Sequence, residues 1–538
     1  MKRRTRGVIE FVLLAITIIA SVPVQAETAK VPMRDGTKLA LDYYLPAEAG
    51  PAFPVVLVRS TYDRGYGAQI APLFTVKGYA LAIEDTRGRG GSDGKDSPFA
   101  DDGWGKNQDG VDTVNWLRKQ PWCNGKIGTW GESALGITQS FLAGAGGAIE
   151  AQSIGVAASD FCGQGVYQGG VFRKALIEEW LKRQESPGIL ELWRSHPTYD
   201  SFWTYFNTES QTRLVDAPGV HWGAWFDIFA QGTINSFVLR QHQGGPHAKN
   251  NQKLIMGPWT HGPKQRSGEM KFPDNFNFDI PGYEIRFFNH WLKGEDNGIM
   301  REPAVVYYTM GDCDDPKAPG NEWRKADDWP PVATQETAYY LAPNGSLTTE
   351  LATVEAGSRS YTYDPGNPCP TLGGQNLFLP SGPHDQRSVS ARPDVLTFSS
   401  PPLDAPIEIT GAVKVSLYVT TDAPDTDFTA KLLDIYPDGR QMLMLDGIQR
   451  VKFRKGRDKA DPLPSGSVGK VDIDLWSISL IVNKGHRIGA QVSSSNYPRF
   501  ELNPNTGEDF PGKELRPAKN SVHMGGQNAS ALLLPVRR

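Results

Sequence analysis

The chain has 538 residues, of which 39% are hydrophobic and 22% charged, with 57 Gly, 40 Pro, 4 Cys and a formal net charge of -4. Single hydrophobic cores stop growing beyond roughly 250 to 300 residues, so at least two domains are expected. Ordinary hydrophobicity with 14 Trp, 18 Tyr and 23 Phe excludes a disordered or collagen-like chain, and the mildly acidic balance offers no grip on nucleic acid phosphates.

Residues 1–26 read as a signal peptide. Lys2, Arg3, Arg4 and Arg6 precede an apolar run from Phe11 to Ala20, and Val24-Gln25-Ala26 has the small-residue pattern of a cleavage site. The alternative is a membrane anchor, but the run is shorter than the roughly 20 residues that cross a bilayer. Export to the periplasm or beyond is therefore expected, with no stable membrane span after cleavage. In an oxidising compartment Cys123, Cys162, Cys313 and Cys369 form up to two disulfides or remain four buried thiols; their spacing matches no zinc site.

From Thr28 to about Met310, short apolar runs alternate with helical stretches. Pro54 to Val58, Tyr79 to Ile83, Lys126 to Trp130, Val220 to Phe226 and Lys253 to Met256 read as strands buried on both faces, and Asp109 to Arg118 as a helix. The pattern predicts an α/β core with a largely parallel sheet over 27–160 and 213–325. Residues 161–212, rich in aromatics such as Trp180, Trp193 and Trp203, are expected to insert a helical cap over the strand ends. After about Pro330 the period becomes two, as in Val413, Val415, Leu417 and Val419, which predicts a β-sandwich or jelly roll over 326–538.

The strongest chemical signal is Gly128-Thr129-Trp130-Gly131-Glu132-Ser133-Ala134-Leu135-Gly136. A strand enters, a helix leaves, and the serine stands at the turn, which is the context of a nucleophile elbow. Gly136 lies one place later than the usual second glycine, and the competing role for such a serine is a helix cap. A serine nucleophile needs a base. Among nine histidines, His261 follows the strand ending near Met256 and so shares the sheet edge expected for Ser133, whereas His290 falls within a helix. Asp227, at the end of the run Val220 to Phe226, is placed to orient the imidazole, or else to cap a helix from Ile228. The order Ser133, Asp227, His261 is that of α/β-hydrolases. Asp85 and Arg87, in the Gly-rich segment Glu84 to Gly90, are expected to form an ion pair.

These motifs, with Arg59-Ser60-Thr61-Tyr62-Asp63, Asp85-Thr86-Arg87-Gly88, Trp222 to Asp227, Gly257 to Gly262, Pro424 to Phe428, Gly485-His486-Arg487 and Tyr497 to Phe500, resemble a serine hydrolase family. It groups bacterial cocaine esterases, α-amino-acid ester hydrolases, glutaryl acylases and X-Pro dipeptidyl peptidases. The resemblance implies an α/β-hydrolase core, a helical cap and a C-terminal jelly roll, with Ser133, Asp227 and His261 as catalytic triad. It further implies that the Tyr62 hydroxyl and the Ala134 N–H form the oxyanion hole. Ala134 departs from relatives that carry Tyr there, so the pocket wall differs. A carboxylate cluster for a substrate ammonium has its candidates in Glu178, Glu179 and Asp200, whose favoured reading is a solvated helix face.

The expectation is an exported esterase acting on a small-molecule ester, or an amide, through an acyl-enzyme, without metal or organic cofactor. The alternatives are amino-ester hydrolase, acylase or X-Pro dipeptidyl-peptidase activity. From another class comes a glycan- or surface-binding protein with an inert core.

Overall fold

The computed structural model describes residues 26–48, 50–331 and 334–537. The leader expected over 1–26 lies, save for Ala26, outside the described residues.

Ten strands make one sheet: β1 (Glu27–Pro32), β2 (Lys38–Tyr44), β3 (Phe53–Ser60), β4 (Ala80–Asp85), β5 (Cys123–Glu132), β6 (Ala151–Gly155), β7 (Gly219–Ala224), β8 (Gln252–Gly257), β9 (Val305–Thr309) and β10 (Glu322–Ala326). Their order is β1-β2-β4-β3-β5-β6-β7-β8-β9-β10. All pairings from β4 through β9 are parallel, and the antiparallel ones lie at the two margins. The central strands are buried almost throughout, because helices cover both faces.

Those helices are α1 (Gly67–Thr75), α2 (Asp109–Leu117), α3 (Ala134–Gly144), α4 (Lys174–Arg183), α5 (Pro187–Arg194), α6 (Ala230–Gln243) and α7 (Ile280–Lys293), of which α4 and α5 belong to the insertion. Alternation along each strand assigns the faces. Trp130 and Trp222 point to the side of α7, where buried Glu284 accepts from both indoles and from Ser153 Oγ. Thr129 points the opposite way and bonds Gln139 of α3. Three strands are thus pinned side by side beneath the site.

The sequence placed the strand through Phe226, but β7 ends at Ala224. The N–H groups of Trp225 and Phe226 leave the ladder for the carbonyls of Gly257 and Trp259, so Asp227 stands on a loop. The expected Asp85–Arg87 ion pair is also corrected. Asp85 pairs with Arg64, while Arg87 reaches Asp35 and Asp109. The Gly-rich turn carries the Arg87 side chain away from β4 and toward the start of α2.

Residues 161–214 contain one π-helical turn, a two-residue ribbon, α4, α5 and two short 3-10 segments. Beyond residue 334 the chain is β-rich: β11 (Thr334–Leu341), β12 (Leu347–Thr348), β13 (Gly357–Tyr363), β14 (Leu396–Ser399), β15 (Ile407–Thr421), β16 (Asp427–Ile435), β17 (Gln441–Arg450), β18 (Gly469–Val482), β19 (Arg487–Ser493), β20 (Ala518–Met524) and β21 (Ala531–Arg537). One antiparallel sheet has the order β12-β11-β21-β15-β20-β13, with β18 also on β15, and faces a second of order β14-β19-β16-β17. Their shared apolar core runs without a break into Met256, Tyr307 and Tyr308 of the parallel sheet and into Trp225 and Phe226 of the loop after β7. Two units therefore bury one common core.

The four cysteines are free thiols, each pushed up by burial, Cys313 to about 12. Among the described residues no helix is long and apolar enough to cross a membrane.

Candidate active site

Strand β5 stops at Glu132 and α3 starts at Ala134, which leaves Ser133 alone to reverse the chain. It does so at φ 55° and ψ -122°, a region that side-chain-bearing residues rarely enter and that costs of order 1–3 kcal/mol. Close packing holds the strain. A Cβ on Gly136 would lie 2.8 Å from Ala157 Cβ and 3.0 Å from Gly155 O, and one on Gly155 would lie 2.4 Å from the Trp222 ring. Small residues therefore let the elbow sink between β5 and β6, where Ser133 N–H donates to Gly155 O at 2.9 Å.

Ser133 also occupies the N-cap position of α3, yet its hydroxyl makes no capping hydrogen bond. The capping role weighed from sequence is absent, and among the described residues the hydroxyl is uncommitted. Ala134 opens the helix, so its N–H has no carbonyl partner within α3.

Asp227 is fully buried in the loop after β7. One carboxylate oxygen accepts Phe229 N–H at 2.7 Å; the other accepts from His261 Nδ1 in a short contact. The sequence alternative of a helix cap is met only in part, because α6 begins at Ala230 and Asp227 stabilises the turn before it. His261 is centred in a γ-turn, with Gly262 N–H on Thr260 O at 2.9 Å, and its ring meets Phe229 edge-on at 6.2 Å. Because β5, β7 and β8 run parallel, Ser133, Asp227 and His261 all emerge at one sheet edge. Among the described residues no hydrogen bond joins Ser133 Oγ to the imidazole, a contact that commonly tightens only when substrate binds.

A carboxylate partner alone does not single out His261. His196, His242, His247 and His486 also contact Asp side chains. His221, buried beside Gln252, is pushed down to about 3 by burial, and His290 turns to the Glu295 carbonyl at the end of α7. What distinguishes His261 is its place after β8 on the edge that also holds the elbow.

Tyr62 stands two residues beyond β3, with its N–H on Ser60 Oγ at 3.1 Å. Below it Arg59 is locked to Glu84 and Asp102, a buried cluster in which burial pushes the carboxyls up to about 7 and about 6. The Tyr62 hydroxyl accepts from Trp180 Nε1 at 3.2 Å; burial raises its pKa and the indole bond opposes that rise.

Two features escaped the sequence reading. Trp180 was counted only among the cap aromatics, although an indole in a cap helix above an expected oxyanion tyrosine was the available signal. Glu132 was given no role from the sequence, yet burial, with Glu284 nearby, pushes its carboxyl up to about 8 next to the serine. The candidate carboxylates for a substrate ammonium are each engaged by a basic side chain of the insertion, Glu178 with Lys174 and Arg194, Glu179 with Arg183, and Asp200 with His196. Among the described residues no group of three or more His, Cys, Asp or Glu could hold a metal ion.

Comparison with known proteins agrees with this architecture. The X-Pro dipeptidyl-peptidase (S15 family) profile matches residues 35–185 and 174–263, and that of the X-Pro dipeptidyl-peptidase C-terminal non-catalytic domain matches 297–533. The chain is 32% identical to cocaine esterase of Rhodococcus sp. (strain MB1 Bresler), over 95% of this chain and 98% of that protein. Among solved structures, an aminopeptidase from a marine sediment Thaumarchaeota archaeon superposes with a TM-score of 0.82 at 23% identity, covering 98% of this chain and 99% of that one. An α-amino acid ester hydrolase superposes with a TM-score of 0.80 at 24% identity, covering 99% and 100%. At those identities the two structures speak for the fold. With the elbow, the cap and the C-terminal sandwich all in place, the chain belongs to the serine hydrolase family of cocaine esterase and the S15 X-Pro dipeptidyl-peptidases, and it is an enzyme that acts on esters.

Proposed function

We propose that this protein is an exported carboxylic-ester hydrolase that works through an acyl-enzyme, with Ser133 as nucleophile, His261 as general base and Asp227 as the orienting acid. The observation that carries the reading is the His261 imidazole anchored on a fully buried Asp227 at the sheet edge where Ser133 holds an uncommitted hydroxyl in a strained turn.

Each step follows from that arrangement. Asp227 accepts a hydrogen bond from Nδ1–H, which keeps that proton on Nδ1 and leaves Nε2 as the basic nitrogen. Nε2 accepts the Ser133 proton as Oγ attacks the ester carbon. The oxyanion is held by Ala134 N–H and the Tyr62 hydroxyl, and the alkoxide leaves with the proton from His261. Water then attacks the acyl carbon as Nε2 takes its proton, and His261 returns that proton to Ser133 Oγ as the acyl C–O bond breaks and the acid leaves. Small-molecule esters suit a site roofed by the aromatic cap. Export rests on the basic and apolar start of the chain, and recovery of a mature protein beginning at Glu27 from outside the cytoplasm tests it.

The chemistry is tested with a fluorophosphonate probe, a panel of p-nitrophenyl esters and X-Pro p-nitroanilides, on wild type and Ser133→Ala. Labelling and ester turnover are expected in the wild type, with a loss of about 10⁴- to 10⁶-fold in the variant. Unlabelled wild type, or an active alanine variant, overturns the assignment, and preferential cleavage of the anilides moves it to peptidase.

A further inference from the structure

The cap reaches the Tyr62 hydroxyl through a polar contact. Trp180, in α4, donates its indole N–H to the Tyr62 hydroxyl oxygen at 3.2 Å, and among the described residues it is the one hydrogen-bond partner of that hydroxyl. A phenol oxygen that accepts a bond keeps its own proton to give and is polarised toward giving it. An oxyanion needs such a donor, already oriented before charge develops.

The indole is held so that its N–H has one direction. Phe99 stacks on it at 5.6 Å and 10°, and Trp193 stacks at 6.3 Å and 5°, so the ring lies between two parallel neighbours. Phe99 and Trp193 are themselves buried. Phe99 sits at φ 69°, an unfavourable conformation for a bulky residue, and its ring is thereby held against Trp180 and Phe161. A second tie runs alongside. Arg89 bonds the Thr61 carbonyl at 2.9 Å, and its other nitrogens bond Gln184, just past α4, at 2.7 and 2.6 Å. The turn bearing Tyr62 and the end of the cap helix are thus fastened together on both sides of the phenol.

We infer that Trp180 is a positioning residue of the oxyanion hole, through which the seated cap orients the Tyr62 hydroxyl. This rests on the proposed role of Tyr62. Seating of α4 then completes the donor set, and a displaced cap leaves Ala134 N–H as the remaining oxyanion donor of the pair.

A double-mutant cycle on kcat tests it. Tyr62→Phe should lose about 100- to 1,000-fold. Trp180→Phe, which keeps a ring between Phe99 and Trp193 but removes the N–H, should lose about tenfold in kcat with KM nearly unchanged. In the Tyr62→Phe background the same change should cost less than about twofold. Benzothienylalanine at position 180 keeps the indole shape without the N–H and should reproduce the tenfold loss, which separates the hydrogen bond from packing. Equal losses in both backgrounds, an effect confined to KM, or no loss beside a crippled Tyr62→Phe would overturn the inference alone. A near-wild-type Tyr62→Phe would overturn the oxyanion role of Tyr62 together with it.

Discussion

Ser133 and Tyr62 stand on turns made within the parallel sheet, whereas Asp227 and His261 stand on loops that lean on the C-terminal sandwich. On the first side the restraints on Ser133 are short in sequence or shared between neighbouring strands, namely the Gly131–Gly136 elbow and the Gly155 carbonyl, while Tyr62 rests on the Arg59 cluster under β3 and adds a long-range tie to Trp180 of the cap. On the second side the restraints come from far along the chain. Gln375 donates to the Trp225 carbonyl at 3.1 Å, Ser477 bonds Gln231 of α6 at 2.9 Å, and Glu269 N–H reaches Pro383 O at 2.8 Å. Trp225, two residues before Asp227, is packed into the core of the sandwich. The turn of the proposed nucleophile is thus a local construction, and the proposed base and its acid are held by tertiary contacts.

The largest effect expected on this contrast is at Asp227. Asp227→Asn keeps an oxygen for Phe229 N–H but presents the wrong proton arrangement to His261, so kcat should fall about 10⁴-fold with little change in melting temperature. An active Asp227→Asn enzyme would mean that the distal pair serves structure alone. Next comes the local side. Gly136→Ala forces a Cβ against Ala157 Cβ and the Gly155 carbonyl, and should cost about 1–3 kcal/mol in denaturant unfolding along with much of the fluorophosphonate labelling. Full labelling at wild-type stability would show that the elbow has slack.

The smallest effect probes the seam between the two units. His486 lies between Asp312, just beyond β9, and Asp434 of β16. Burial alone would lower its pKa, but the hydrogen bonds from Asp312 and Asp434 outweigh that and push it up to about 9. The folded value exceeds the ordinary 6.5, so the stabilisation is complete below about pH 6.5 and fades as pH rises through about 9. Thermal melts between pH 6 and 10 should show a decline that His486→Gln flattens, by about 1 °C per kcal/mol of linkage. Identical pH profiles would remove His486 from the seam.

The same contrast explains which parts could be read in advance. The elbow was readable because strand, turn and helix are contiguous, and small residues around Ser133 are a local demand of the reversal. The parallel sheet was readable because strands buried on both faces leave near-continuous apolar runs. His261 could be singled out in the sequence by strand-end placement, whereas His–Asp pairs recur elsewhere and single out no histidine. The end of β7 was misjudged because Trp225 and Phe226 are apolar for the sake of the shared core, not for a strand. The Asp85–Arg87 pair was misjudged because proximity in sequence says nothing of where a Gly-rich turn sends a side chain.

What the sequence by itself determined is the α/β core, the sandwich and the identity of the elbow serine, each written in periodicity or in the steric needs of one turn. The tertiary structure alone decided that the two units bury one core, that Asp227 is held in a loop by contacts from the sandwich, and that Trp180 meets Tyr62. The physical reason is range. Backbone geometry and alternating burial act between near neighbours and leave a pattern in the chain, whereas a hydrogen bond between residues 118 positions apart exists only once folding has brought them together.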